Sequence, residues 1–416
     1  MNNDNPNMDA KNILDLLSQK IVGQPAISGI VSTVKMYQAG LSPVDRPAGI
    51  FLLLGPTGTG KTRTVEALAE ILHGDSNRVV KVNCGEYQSD HEVAKLIGSP
   101  PGYLGHNETH AALTQEKLEE ATTPSCDLSI VLFDEIEKAA PAVSTLLLGV
   151  LDKATLRLGN NSEVSFQKSL IFLTSNLGAR AMMKELQPEL GFRSATRPEA
   201  PDVCKKLESI AVQAVKKMYS PEFVNRLDAI LTYRPLDSEA LGLILDQQIV
   251  DLQKHVNSRL AEKCFNIEVA DESRQFLLAK GTSPEFGARE LKRSVHKYLT
   301  QPLATLVIES RIQPASTVRV LLGTDGDSLE FAHTEPSQAS SKPTMLIVDD
   351  NRDFLRLLSL EISDATDWRV LLGQSCAEAT THACSGHLDF ALLDLILPDG
   401  NAVSYTHLTL PTILRV

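Results

Sequence analysis

The segment Gly55-Pro56-Thr57-Gly58-Thr59-Gly60-Lys61-Thr62 satisfies the spacing G-x-x-x-x-G-K-[ST]. Glycines at these intervals let backbone N–H groups turn inward around phosphate oxygens. Lys61 offsets charge on the β- and γ-phosphates, and the Thr62 hydroxyl can ligate Mg²⁺. A second segment, Ser129-Ile130-Val131-Leu132-Phe133-Asp134-Glu135, is an apolar run ending in two carboxylates. A carboxylate at the end of a strand beside the phosphate loop is placed to hold Mg²⁺, the role expected of Asp134. The next one can orient or deprotonate an attacking water, the role expected of Glu135. Together the two segments point to binding and hydrolysis of a nucleoside triphosphate, with ATP and Mg²⁺ as the expected ligands.

A third set of carboxylates lies near the C-terminus. Met345-Leu346-Ile347-Val348-Asp349-Asp350 and Phe390-Ala391-Leu392-Leu393-Asp394 are two more apolar runs ending in acids. Carboxylates converging at the carboxyl ends of parallel strands make a Mg²⁺ and phosphoryl pocket. Asp349, Asp350 and Asp394 are therefore candidate metal ligands.

The elements that must position these groups follow from periodicity. Gly49 to Leu54 is uniformly apolar and runs straight into glycines, as a buried parallel strand entering a loop does. The helix after the loop carries Val65, Leu68 and Leu72 on one face and stops at Gly74. Further strands are expected at 79–82, 129–133, 169–173 and 229–233, with helices between, so an α/β domain with a parallel sheet should span 9–235 behind a polar tail at 1–8. From 236 to 332 a smaller α+β region is expected, with strands at 317–322 and 328–332. Residues 333–342 have linker composition, and a third unit begins at 343.

Five motifs taken in order carry a family resemblance. They are the phosphate loop, Asp134-Glu135-Ile136-Glu137-Lys138-Ala139, Leu173-Thr174-Ser175-Asn176, Pro221-Glu222-Phe223-Val224-Asn225-Arg226-Leu227-Asp228 and Gly287-Ala288-Arg289. This order resembles Clp-type AAA+ unfoldases, most closely the second ATPase module of the double-ring members, over about residues 10–332. The resemblance implies that Asn176 is the first sensor, Arg226 a finger reaching the next subunit's nucleotide, and Arg289 the second sensor in the small lid domain. It also implies that Ile21, Val22, Gly23 and Gln24 form the segment packing on adenine. Tyr103, in Gly102-Tyr103-Leu104-Gly105, occupies the place of the substrate-gripping pore loop. Leu190-Gly191-Phe192 occupies the place where peptidase-partnered members carry a docking tripeptide. A homo-oligomer, by resemblance a hexamer, acting on protein substrates is therefore expected, with a ClpP-like peptidase as a candidate partner.

The C-terminal strands similarly resemble the receiver domain of response regulators, with a flavodoxin-like doubly wound sheet. That resemblance implies Asp394 as phospho-acceptor and a histidine kinase as partner. Residues 343–416 are short for such a domain, and its later Thr/Ser and Lys have no counterpart. The run 402–412 is rich in β-branched residues and lacks helical periodicity, so the expectation is that the natural protein continues beyond about Gly400 and that this end is foreign.

Composition sets bounds on these readings. The chain has 416 residues, enough for two or three domains at about 150 each. With 43% apolar and 22% charged residues it has globular usage, and a net charge of -12 disfavours broad nucleic-acid binding. Six scattered cysteines without a Cys-x-x-Cys fit reduced thiols, and no apolar stretch reaches about 18 residues, so no membrane association is expected and a cytoplasmic setting is. His106 and His110 lack the intervening pattern of a zinc protease, and the pairs Lys205-Lys206 and Lys216-Lys217 fit a solvated helix face. Two functions remain open: an ATP-driven protein unfoldase under receiver control, or a signalling ATPase whose nucleotide-dependent assembly is itself the output.

Overall fold

The computed structural model describes residues 10–25, 27–98, 111–186, 201–260, 264–283, 287–314, 316–334, 344–366, 368–375, 378–379, 388–393, 396–397, 400–401 and 413–415. Tyr103, the tripeptide Leu190-Gly191-Phe192, Asp394 and the run 402–412 lie outside the described residues. The chain divides into two compact units, one of residues 1–251, 271–304 and 322–329, the other of 252–270, 305–321 and 330–416.

In the first unit, strand β1 (Gly49–Leu54) is buried at every position. A strand with no polar face must be covered on both sides. It lies inside a five-stranded sheet with β2 (Val80–Asn83), β3 (Ser129–Asp134), β6 (Ser169–Ser175) and β7 (Ala229–Thr232), in the order β2-β3-β6-β1-β7 and parallel throughout. Between β3 and β6, β4 (Thr155–Arg157) and β5 (Glu163–Ser165) form a separate antiparallel hairpin.

The pleat sends alternate side chains to opposite layers. Ile50, Leu52 and Leu54 join Val131, Phe133, Ile171 and Leu173 in one core, under the helix Pro141–Lys153. Phe51 and Leu53 join Ile130, Leu132, Leu170 and Phe172 in the other, with the helices Ala10–Lys20 and Lys61–His73. The rings of Phe51 and Phe172 stack at 5.4 Å. Truncating such a core aromatic costs about 3–5 kcal/mol, so the strands that hold the site are firmly anchored. Register matters most at the carboxyl ends, where Leu54 pairs with Ser175 and Asn83 with Asp134. The loops leaving β1, β3 and β6 therefore open together.

Further helices follow, at Ser238–Leu260, Asp271–Gly281, Ala288–Val295 and Gln301–Ile308. Strands β8 (Asn266–Val269), β9 (Thr317–Leu322) and β10 (Leu329–Thr334) form a three-stranded sheet, order β10-β9-β8. The C-terminal strands β11 (Thr344–Val348), β12 (Arg369–Gly373) and β13 (Phe390–Leu393) make a parallel sheet in the order β12-β11-β13, extended by Ile413–Arg415 beside β13. Asp349 and Asp350 stand at the carboxyl end of β11, as expected. Asp349 accepts from the N–H of Asn351 (2.8 Å), and Asn351 caps the helix Arg352–Ala365. The last strand had no signal in the sequence, since three residues show no periodicity.

Candidate nucleotide site

Two glycines shape the phosphate loop. A Cβ on Gly55 (φ 149°) would lie 2.4 Å from the carbonyl oxygen of Tyr233, so only glycine allows the chain to pass there. Gly60 takes φ 100° and leads into the helix Lys61–His73, whose N-terminus no side chain caps. The first-turn N–H groups and the helix dipole are thus left for an anion.

Lys61 is only 9% exposed. Its ammonium donates to the carbonyls of Gly55 (2.6 Å) and Pro56 (2.9 Å) and to Oδ1 of Asn176 (2.8 Å). Burial pushes its pKa down to about 8, against the opposing pull of Glu137, Asp134 and Glu135. A desolvated cation at a helix N-terminus, with carboxylates nearby but no direct ion pair among the described residues, suits the polyanionic tail of a nucleotide.

The acidic residues are held by a threonine that the sequence did not single out. Thr174 is buried in β6, donates to Oδ1 of Asp134 (2.5 Å) and accepts from the N–H of Glu135 (3.0 Å). Thr62 donates to the same Asp134 oxygen at 3.3 Å. Glu135 takes a left-handed conformation (φ 58°, ψ 49°), and its carboxylate pairs with Lys138 at 2.6 Å. Strained backbone at such a position is what functional sites tolerate. Among the described residues no three His, Cys, Asp or Glu side chains converge on a metal cage. Mg²⁺ in nucleotide sites needs only one or two protein ligands besides phosphate and water. The adjacent Thr62 hydroxyl and Asp134 carboxylate fit that requirement.

Asn176 stands just beyond β6 and is tied from behind, its N–H donating to Oε1 of Glu137 at 3.1 Å. A cavity of about 380 Å³, lined among others by Gly23, Gln24, Pro25, Arg234 and Asp237, lies alongside the loop. Gln24 connects the two, donating to the carbonyls of Thr59 (3.3 Å) and Arg234 (2.9 Å) and accepting from the N–H of Arg234 (3.0 Å). Ile21 packs into the core beneath, Val22 is half-buried, and neither lines this cavity.

Arg226 sits elsewhere. Asp228 exchanges hydrogen bonds with the backbone of Ile50, its N–H donating at 2.9 Å and its Oδ2 accepting at 2.8 Å. This places the Arg226 turn at the amino end of β1, about 13 Å of strand away from the chain's own phosphate loop. Its guanidinium faces Asp152 (3.1 Å) and Glu222 (3.5 Å), and Arg46 donates to its carbonyl at 2.7 Å. Arg289 begins the helix Ala288–Val295, which rests on the phosphate loop: the Ala288 N–H donates to the carbonyl of Gly58 at 3.1 Å. Thr174, Glu137, Asp152 and Arg46 all work through partners distant in sequence. Only Thr174 and Glu137 carried a signal, as members of the quoted motifs.

Comparison with known proteins agrees with this geometry. Residues 46–230 match the family model described as AAA domain (Cdc48 subfamily), and residues 236–320 match the C-terminal, D2-small domain, of ClpB protein. Residues 46–320 form a Clp-type AAA+ ATPase module. The chain is 37% identical over 307 residues to chaperone protein ClpB of Aquifex aeolicus, covering 74% of this chain and 29% of that one. It is 31% identical over 341 residues to heat shock protein 104 of Schizosaccharomyces pombe, covering 82% and 36%. A probable ATP-dependent Clp protease ATP-binding subunit of Chlamydia pneumoniae is 36% identical over 331 residues, covering 79% and 37%. The chain thus spans about a third of the length of these curated relatives. Among solved structures, the S. cerevisiae Hsp104:casein complex in its extended conformation aligns with a TM-score of 0.67 at 26% identity, over 79% of this chain and 53% of that one. Among the described residues of the AAA+ chain no helix is long and apolar enough to cross a membrane.

Proposed function

We propose that this AAA+ chain hydrolyses ATP within a homo-oligomeric ring, by analogy a hexamer, to remodel or unfold protein substrates in the cytoplasm. The observation that carries the reading is the Lys61 ammonium, buried among loop carbonyls and joined to Asn176. Residues 9–235 act as the large ATPase domain and 236–332 as the lid, with 333–342 as linker to 343–416. Gly55 to Thr62 cradle the phosphates, and the cavity at Gly23 to Pro25 takes the base, with Ile21 and Val22 beneath it. Thr62 and Asp134 would hold Mg²⁺, which would neutralise charge on the nucleotide's phosphates. Lys61 and Asn176 hold the γ-phosphate, and Glu135 takes a proton from the attacking water once its pairing with Lys138 opens. Arg226 completes the neighbouring subunit's site, and Arg289 reports lid position. Tyr103 grips the polypeptide, and Leu190-Gly191-Phe192 docks a ClpP-like peptidase. The Hsp104 structure that aligns with this chain is a complex with casein, which supports a polypeptide substrate.

Residues 343–416 act as a receiver, taking phosphate on Asp394 from a histidine kinase with Asp349 and Asp350 at the metal. The parallel order of β12-β11-β13 and the two acids ending β11 favour it. ATP-dependent unfolding of a tagged folded protein tests the whole reading, and the Glu135→Gln variant should retain ATP and trap substrate. ATP-dependent assembly without any unfolding would favour the signalling reading instead.

A further inference from the structure

The two hydroxyls that donate to Asp134, those of Thr62 and Thr174, both take its Oδ1. Its other oxygen, Oδ2, faces a cation from the neighbouring strand, the Lys81 ammonium of β2, 3.9 Å away. The same ammonium lies 3.9 Å from Oε1 of Glu66. Glu66 follows Thr62 by four residues in the helix Lys61–His73, which puts both on one face a turn apart. The strand register sets the other side, since β2 pairs Asn83 with Asp134 and Lys81 with Leu132. Both contacts exceed hydrogen-bonding distance, so the cation hangs between two acceptors and is fixed to neither. The side chains of Lys81 and Glu66 are 47% and 37% exposed, and ion pairs so open to water add little to stability. What they do change is the charge beside Asp134.

We infer that Lys81 is a stand-in cation at the Asp134 carboxylate, holding it while the nucleotide site is empty and withdrawing to Glu66 when Mg²⁺ arrives with nucleotide. Two cations about 4 Å apart repel one another, most where protein displaces water. Glu66 gives the displaced ammonium an acceptor it already faces, so little rearrangement is needed. Lys81 acts through Asp134, as a positioning residue that weakens the site's hold on Mg²⁺ and so sets how strongly nucleotide binding depends on the metal. The inference rests on the reading of Thr62 and Asp134 as the side chains that hold Mg²⁺.

The test compares the full chain carrying Lys81→Met, Lys81→Arg or Glu66→Gln with wild type. Affinity for a fluorescent, non-hydrolysable ATP analogue is measured in saturating Mg²⁺ and in EDTA, with thermal melting alongside, and the ratio of the two affinities is the readout. Lys81→Met should raise the ratio about threefold, the scale of a half-exposed ion pair, while Lys81→Arg should keep the wild-type value. Glu66→Gln should lower it about threefold, because Lys81 is then left on Asp134. That loss should vanish when Glu66→Gln is combined with Lys81→Met. Melting temperatures should stay close to wild type in all of them. An unchanged or lower ratio in Lys81→Met, the same rise in Lys81→Arg, or a Glu66→Gln effect that persists without Lys81 overturns the inference alone. Wild-type binding that does not depend on Mg²⁺ defeats the metal reading and the inference with it.

Discussion

Oδ1 of Asn176 accepts a 2.8 Å hydrogen bond from the ammonium of Lys61, so the tip of β6 and the phosphate loop meet at a single buried cation. Replacing Asn176 with Ala leaves Lys61 its two backbone acceptors and removes the side chain proposed to hold the γ-phosphate. Turnover should fall about 10²-fold, the typical loss for one transition-state donor. Affinity for a fluorescent ATP analogue should change by only a few-fold. An equal loss in both measurements would argue that Asn176 serves binding alone.

Thr174 should matter as much as the acids it holds. Thr174→Val is nearly isosteric but strips Asp134 of a donor and the Glu135 N–H of its acceptor, inside a buried strand. Leaving such groups unsatisfied costs about 1–3 kcal/mol, readable as a lower denaturation midpoint, and turnover should drop with it. Thr174→Ser, which keeps the hydroxyl, should restore most of both.

Arg226 cannot serve the phosphate loop of its own chain if it stays at the amino end of β1. Arg226→Ala should therefore lose about 10³ to 10⁵ in turnover while binding nucleotide, and Lys61→Ala should lose both. Mixing the two inactive proteins pairs intact loops with intact fingers. Partial recovery of ATP hydrolysis is expected, and a mixture as inactive as its components would exclude action between subunits.

The buried ammonium predicts a pH dependence of definite sign. Lys61 has its pKa lowered from 10.5 to about 8 by burial. The fold therefore carries the penalty of a desolvated charge in full below about pH 8, and sheds it as pH rises towards 10.5. Nucleotide phosphates favour the charged form, so affinity should decline as pH rises through about 8, by at most about tenfold per unit. Titration calorimetry of wild type and Lys61→Arg, which stays charged across this range, checks it. A Lys61→Arg protein with the same decline would assign the effect to another group.

The sequence made the framework legible because β1, β3 and β6 are apolar on both faces and lead directly into polar motifs. Periodicity and loop chemistry there agree. Thr174 was legible only as a member of a motif, and the partners that such residues act on across strands were hidden. Thr174 bridges Asp134 and Glu135 only because β6 lies beside β3, and Asp152 meets Arg226 only through the packing of the helix Pro141–Lys153. The hairpin β4–β5 buries just one residue in each strand, Leu156 and Val164, too few to register as a pattern. Of the segment Ile21 to Gln24, Gly23 and Gln24 line the cavity together with Pro25, whereas Ile21 and Val22 do not, because the chain turns at Gly23.

The helix bearing Arg289 is fastened to the phosphate loop by the N–H of Ala288 and the carbonyl of Gly58, while Gly287 packs so closely that a Cβ there would sit 3.0 Å from the same oxygen. Ordinary side-chain substitutions cannot delete a tether built from main-chain atoms. Alanine scanning would reach this joint between the helix and the Gly55–Thr62 loop only at Gly287, where the added Cβ would press on the Gly58 carbonyl. Its strength would emerge instead from slowed amide exchange at Ala288, or from replacing that single peptide bond with an ester.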